Sequence, residues 1–144
     1  MKFMLISPKN RTVYNFRGEL IKDIINKGYE VIVTGPNLEN VEKIQNLGAK
    51  FIRVELDKES TGLFSNWKYY KSLVKIMKDE KPDIVLAYTI KPVIFGTLAA
   101  KKAKINNFYS LITGLGQVYS FDANLKTKII RFICGIAYKI IFKY

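Results

Sequence analysis

The stretch from Asp83 to Gly116 limits the possible folds more than any other part of the chain. Ile84-Val85-Leu86-Ala87 is a short unbroken apolar run, the pattern of a strand buried on both faces. Tyr88-Thr89-Ile90-Lys91-Pro92 follows, and Pro92 suits the first turn of a helix, where its missing N–H is not needed. Phe95, Leu98, Ala99 and Ala103 then recur at helical spacing over Val93 to Ala103. Phe108 to Ile112 is a second strand-like run, stopped by Thr113-Gly114-Leu115-Gly116. A strand–helix–strand of this length predicts a parallel βαβ unit. Open parallel sheets bind ligands beyond the carboxyl ends of their strands. Tyr88, Thr89, Lys91, Thr113, Gly114 and Gly116 fall at those ends and are the first functional candidates.

The flanking sequence repeats the alternation. Strands are expected at Phe3–Ile6, Glu30–Thr34 and Lys50–Leu56. A polar loop, Ser7 to Asn15, leads to a helix capped by Asn15 and running to Lys27, with Leu20, Ile21, Ile24 and Ile25 as its buried stripe. Gly28 ends that helix. A short helix spans Glu39 to Leu47, and a longer one, capped by Asn66, runs from Trp67 to Glu80. Leu125 to Tyr144 has a further helical pattern, with Ile129, Ile130, Ile133, Ile136, Ile140 and Ile141 on one face. The order βαβαβαβαβα is that of an α/β, Rossmann-like, doubly wound domain with a mostly parallel sheet. A single domain over 1–144 is expected. The chain ends inside a helical pattern with no stop signal, and on this basis a longer protein is expected.

Composition excludes several chemistries. The chain has no histidine and one cysteine, Cys134, so His-based catalysis, an internal disulfide and a Cys/His metal site are all excluded. No metal and no cofactor are expected. The glycine fingerprint of a dinucleotide site is missing after the first strand, and no Gly-Lys-Ser/Thr marks a P-loop. The formal charge is +12, with fifteen Lys/Arg against eleven Asp/Glu up to Asp83 and nine against one beyond it. Such asymmetry points to a negative partner: nucleic acid, an anionic membrane or a phosphorylated substrate. No RNA- or DNA-binding motif is present, so no nucleic-acid partner is expected. No stretch of about 20 uncharged residues reads as a membrane span.

Tyr14-Asn15-Phe16-Arg17, Tyr88-Thr89-Ile90-Lys91-Pro92, Gly96-Thr97-Leu98-Ala99-Ala100-Lys101 and Thr113-Gly114-Leu115-Gly116 together resemble family four of the retaining glycosyltransferases, enzymes of the GT-B fold. The similarity runs in order over essentially the whole chain. It implies the N-terminal, mainly acceptor-binding half of a two-domain enzyme. The C-terminal half, which binds the sugar nucleotide and carries a Glu-x7-Glu motif, is absent from this chain, and a fragment like this is expected to be inactive alone. The implied substrates are a nucleotide-sugar and a membrane lipid-linked saccharide, in capsule, lipopolysaccharide or other cell-surface glycan synthesis. The implied place is the cytoplasm, peripheral on the inner face of the plasma membrane.

In this resemblance Asn15, Arg17 and Gly18, expected at the first turn of the first helix, face the interdomain cleft and help hold a diphosphate. The alternative is a cap at Asn15 and a solvated Arg17. Lys91 pairs with a phosphate of donor or acceptor, or is a solvated lysine beside a helix start; Thr89 and Thr113 meet sugar hydroxyls, and Gly114 and Gly116 let backbone approach the ligand or simply make a tight turn. No catalytic residue is assigned, and Asp122 reads as a helix cap. On the last helix Lys128, Arg131, Lys139 and Lys143, with Phe132 and Phe142, share a face suited to an anionic leaflet. A second reading remains open: a non-catalytic membrane-anchoring subunit that recruits a separate donor-binding partner.

Overall fold

The computed structural model describes residues 1–56, 63–113 and 135. Five parallel strands form one sheet in the order β3-β2-β1-β4-β5. They are β1 (Lys2–Ile6), β2 (Glu30–Gly35), β3 (Lys50–Arg53), β4 (Ile84–Tyr88) and β5 (Phe108–Leu111), linked by α1 (Asn10–Asn26), α2 (Val41–Gln45), α3 (Leu63–Glu80) and α4 (Ile90–Ala103). This is the expected doubly wound α/β domain.

Strand alternation divides the core in two. Met4, Ile6, Ile32, Val85 and Ala87 face α3 and α4, where Tyr69, Leu73, Met77, Val93, Ala99 and Ala100 meet them. Phe3, Leu5, Val31, Val33 and Tyr88 face the other way, against Val13 and Ile21 of α1 and Ile44 of α2. The side chain of Tyr88 therefore lies on the α1 face although the chain continues into α4 on the opposite face. Gly96 lets α4 approach the sheet closely, since a Cβ there would sit 3.1 Å from both Ile6 Cδ1 and Phe108 Cζ.

Several boundaries differ from expectation. α1 begins at Asn10, so Asn15 is an exposed residue of its second turn and caps nothing. The start is set by long-range contacts. The Asn10 side chain is buried and its Nδ2 donates to the Asn37 carbonyl (2.9 Å) and the Glu39 carbonyl (2.7 Å). α3 begins at Leu63, which puts Asn66 inside the helix. α4 begins at Ile90, with Pro92 and Val93 buried and Leu98 turned outward at 40% exposure. Leu20 is 40% exposed too, whereas Ile21 is buried and Ile24 and Ile25 pack half-buried against the same cluster, which Val13 joins. α2 is shorter than expected, and β3 ends at Arg53, although Val54 N–H still donates to the Gly35 carbonyl (2.8 Å). The expected final helix, Leu125 to Tyr144, lies outside the described residues apart from Gly135, which is helical.

Gly35 and Asn10 are matched. A Cβ at Gly35 would overlap Asn10 Oδ1 and lie 3.0 Å from Phe51 Cε2. Gly35→Ala is expected to destabilise the fold by about 1–3 kcal/mol through overpacking. Asn10→Ala is expected to cost about 1–3 kcal/mol by leaving two carbonyls without their donor. Because the same side chain is involved in both, the double variant should lose clearly less than the sum of the two in urea denaturation.

Candidate functional site

At the centre of the sheet β1 pairs with β2 on one side and β4 on the other. From its carboxyl end the chain turns to α1 on one face, and from that of β4 it turns to α4 on the other. The two connections part there, and by the general rule for open α/β sheets this topological switch point is the crevice where a ligand is expected.

Hydroxyl groups and one cation cluster at this point, the Ser7 and Tyr88 side chains buried. The Tyr88 hydroxyl lies 2.7 Å from Ser7 Oγ and 2.8 Å from Thr12 Oγ1. Ser7 Oγ and Thr12 Oγ1 in turn donate to the Lys9 carbonyl, at 3.0 Å and 2.6 Å. Three hydroxyl protons thus serve four contacts, so three of the four can be hydrogen bonds at once, provided the phenol is neutral. Burial keeps it so, raising the Tyr88 phenol above its ordinary value against smaller opposing effects of Ser7, Thr12 and Arg17. This knot ties the start of α1 to the end of β4, 76 to 81 residues away.

Arg17 lies on the same ring. Its guanidinium carbon is 5.2 Å from the Tyr88 centroid, within cation–π range. Nη1 donates to the Phe16 carbonyl (2.8 Å), while Nε is buried without a partner among the described residues. Arg17 was expected at an open helix N-terminus. It sits instead as the eighth residue of α1, where its own N–H belongs to the helix ladder, and it reaches the crevice through its side chain. Gly18 does not reach the crevice. It is buried, and a Cβ on it would point at Leu47 Cδ1, 3.8 Å away. Of the three α1 candidates, the structure brings only Arg17 to Tyr88.

Thr89 joins β4 to α4 with φ 69° and ψ 164°, a region almost reserved for glycine. Its N–H points to the Leu111 carbonyl (3.4 Å), its carbonyl accepts from Val93 N–H (3.0 Å), and its side chain makes no capping bond to α4. Lys91 follows in the first turn of α4, half-buried, and Thr113 is exposed two residues past β5. Gly114 and Gly116 lie outside the described residues, as do Lys128, Arg131, Phe132, Lys139, Phe142 and Lys143. The sequence marked Tyr88 by its place after an apolar run. Ser7, Asn10 and Thr12 were missed. The only local signal was the break at Ser7-Pro8, because their partners are distant in the chain. Among the described residues no group of three or more Asp, Glu, Cys or His could hold a metal ion, and no helix is long and apolar enough to cross a membrane.

The family described as glycosyl transferase 4-like matches residues 2–143. The chain belongs to the glycosyl transferase 4-like family. A relative of this family member is the N,N'-diacetylbacillosaminyl-diphospho-undecaprenol alpha-1,3-N-acetylgalactosaminyltransferase of Campylobacter jejuni, 33% identical over 144 residues. The match takes in 100% of this chain and 38% of that protein. Among solved structures, a glycosyltransferase from Rickettsia africae aligns at 20% identity and TM-score 0.59, over 90% of this chain and 32% of the other. MurG of Acinetobacter baumannii aligns at 17% and 0.57, over 78% and 33%. The UDP-GlcNAc 2-epimerase of Methanocaldococcus jannaschii aligns at 21% and 0.58, over 95% and 37%. At such identities the structures show the fold alone, the Rossmann-like domain of GT-B proteins. The glycosyl transferase 4-like chain spans a little over a third of the Campylobacter relative.

Thr89→Gly is expected to stabilise the domain by roughly 1 kcal/mol, because relief of about 1–3 kcal/mol of backbone strain outweighs the added freedom of the unfolded chain. Thermal unfolding measures the gain; a lowered midpoint would mean that the Thr89 side chain is worth more than its strain.

Proposed function

We propose that this chain is the N-terminal, acceptor-side domain of a glycosyltransferase that moves a sugar from a nucleotide-sugar to a lipid-linked saccharide. The observation that carries this is the 33% identity across the whole chain to an enzyme named for transfer to a diphospho-undecaprenol-linked sugar. The crevice supports it. A diphosphate needs cations and donors at fixed positions, and the sugar beside it needs hydroxyl partners. Arg17 reaches the crevice from α1, Lys91 stands in the first turn of α4, and Thr89 and Thr113 follow the ends of β4 and β5. In this proposal Arg17 and Lys91 hold phosphate oxygens, and Thr89 and Thr113 contact sugar hydroxyls. Negative charge grows on the leaving diphosphate as the sugar departs, and fixed cations there stabilise the transition state more than the ground state. Most donor contacts belong to a C-terminal domain beyond this chain.

The enzyme works peripherally on the inner face of the cytoplasmic membrane, in the assembly of a surface glycan such as capsule or lipopolysaccharide. Lys128, Arg131, Lys139 and Lys143, with Phe132 and Phe142, are its proposed membrane contacts, each basic residue contributing about 1 kcal/mol at an anionic surface.

The test is an assay of the whole protein containing this chain, with a panel of nucleotide-sugars and a diphospho-undecaprenol-linked saccharide acceptor. Transfer is expected for one donor. Arg17→Ala and Lys91→Ala should each lower kcat/KM about tenfold or more, the loss of one charge-assisted hydrogen bond. Failure of every lipid-diphosphate acceptor, with transfer to another acceptor class, would overturn the assignment. The membrane contact is checked by sedimentation. Protein should pellet with anionic but not neutral vesicles, and changing the four basic residues together to Gln should abolish pelleting.

A further inference from the structure

Arg17 is held in an unusual way for a cation that meets a ligand. Its guanidinium has no carboxylate partner among the described residues, and Nη1 donates to the carbonyl of its own neighbour, Phe16. What it rests on is the Tyr88 ring, 5.2 Å from ring centroid to guanidinium carbon. That ring is 3% exposed, packed among Val13, Leu5 and Phe3, and its hydroxyl is gripped by Ser7 and Thr12. An acidic partner would neutralise Arg17 and compete with a phosphate. An aromatic face orients the guanidinium plane and leaves its charge and most of its N–H donors unspent.

We propose that Tyr88 is the positioning residue for Arg17: the buried ring, locked by the Ser7 and Thr12 hydroxyls, is the platform that presents the guanidinium to an anionic group of the substrate. The proposal rests on the reading of Arg17 as a phosphate-binding residue. Tyr88 itself touches no substrate. It acts through the negative face of its ring, and that face can be weakened without changing the shape of the side chain.

The experiment uses the whole enzyme with its nucleotide-sugar and lipid-diphosphate acceptor. Position 88 carries Tyr and then Phe, a step that measures the hydroxyl lock by itself, followed by a series of mono-, di- and trifluorophenylalanine, which fill nearly the same space as Phe with a progressively less negative face. The series is measured with Arg17 and again with Arg17→Gln. With Arg17 present, kcat/KM is expected to fall stepwise with fluorine number, by about tenfold from Phe to the trifluoro ring. In the Arg17→Gln background, already reduced, the series should be flat within about twofold, since coupled residues show their interaction only when both are present. Thermal midpoints should stay level through the series, because packing is unchanged. A flat response with Arg17 present overturns the proposal, as does an equal slope in both backgrounds, which would mark Tyr88 as structural alone. Arg17→Gln with full kcat/KM on the lipid-diphosphate acceptor would also overturn it, while leaving the acceptor assignment standing. Loss of that acceptor altogether would strike the assignment itself.

Discussion

Everything in this domain depends on β1 having both of its edges occupied. The strand is buried on both faces and shares hydrogen bonds with β2 and β4 at once. Further strands can only be added outward from that pair, β3 beside β2 and β5 beside β4. Parallel crossovers keep one hand, so reversing the direction of growth forces the helices onto opposite faces. α1 and α2 cover one face, and α3 and α4 the other. The crevice between the starts of α1 and α4 follows from that reversal. It needs no special loop.

Polar contacts then give this crevice its particular form. The Tyr88 hydroxyl closes the base by engaging Ser7 and Thr12, and Asn10 ties the loop after β2 to the start of α1. A buried polar group without its partners is costly, so each of these contacts holds its neighbours in place. The rigidity also accounts for the persistence of Thr89 in a glycine-like conformation. Strain of about 1–3 kcal/mol survives only where surrounding structure over-determines it. Here β4, β5 and the first turn of α4 all bear on one residue.

The same fold serves glycosyltransferases and a sugar-nucleotide 2-epimerase, so architecture alone does not choose the reaction. Family membership is carried by sequence across nearly the whole chain. What distinguishes the crevice physically is a cation laid on an aromatic ring beside a cluster of hydroxyls, with a second cation, Lys91, in the turn that follows. The loop after β1 lacks the glycines that a nicotinamide dinucleotide needs for close approach of its pyrophosphate.

The sequence by itself determined the sheet class, the position of each strand core and the edge on which the candidate residues lie. Unbroken apolar runs such as Ile84–Ala87 and Val31–Val33, too short for a helix and rich in β-branched residues, suit a strand covered on both faces. Tyr88, Thr89 and Lys91 were legible for the same reason, because polar residues straight after such a run must emerge at the carboxyl edge. Tertiary structure alone decided the rest. α1 begins at Asn10 because carbonyls 27 and 29 residues later take its amide protons, and no local propensity encodes that. Leu20 and Leu98 match the helical period yet face outward, since packing of whole elements, and not spacing, selects which residues of an apolar stripe are covered. Arg17 looked like a residue of an open helix end and proved to lie two turns in, reaching the site over Tyr88, 71 positions along the chain. Such a contact exists only once β4 has paired with β1 and α1 has packed across them, and so it could not be read from the order of the residues.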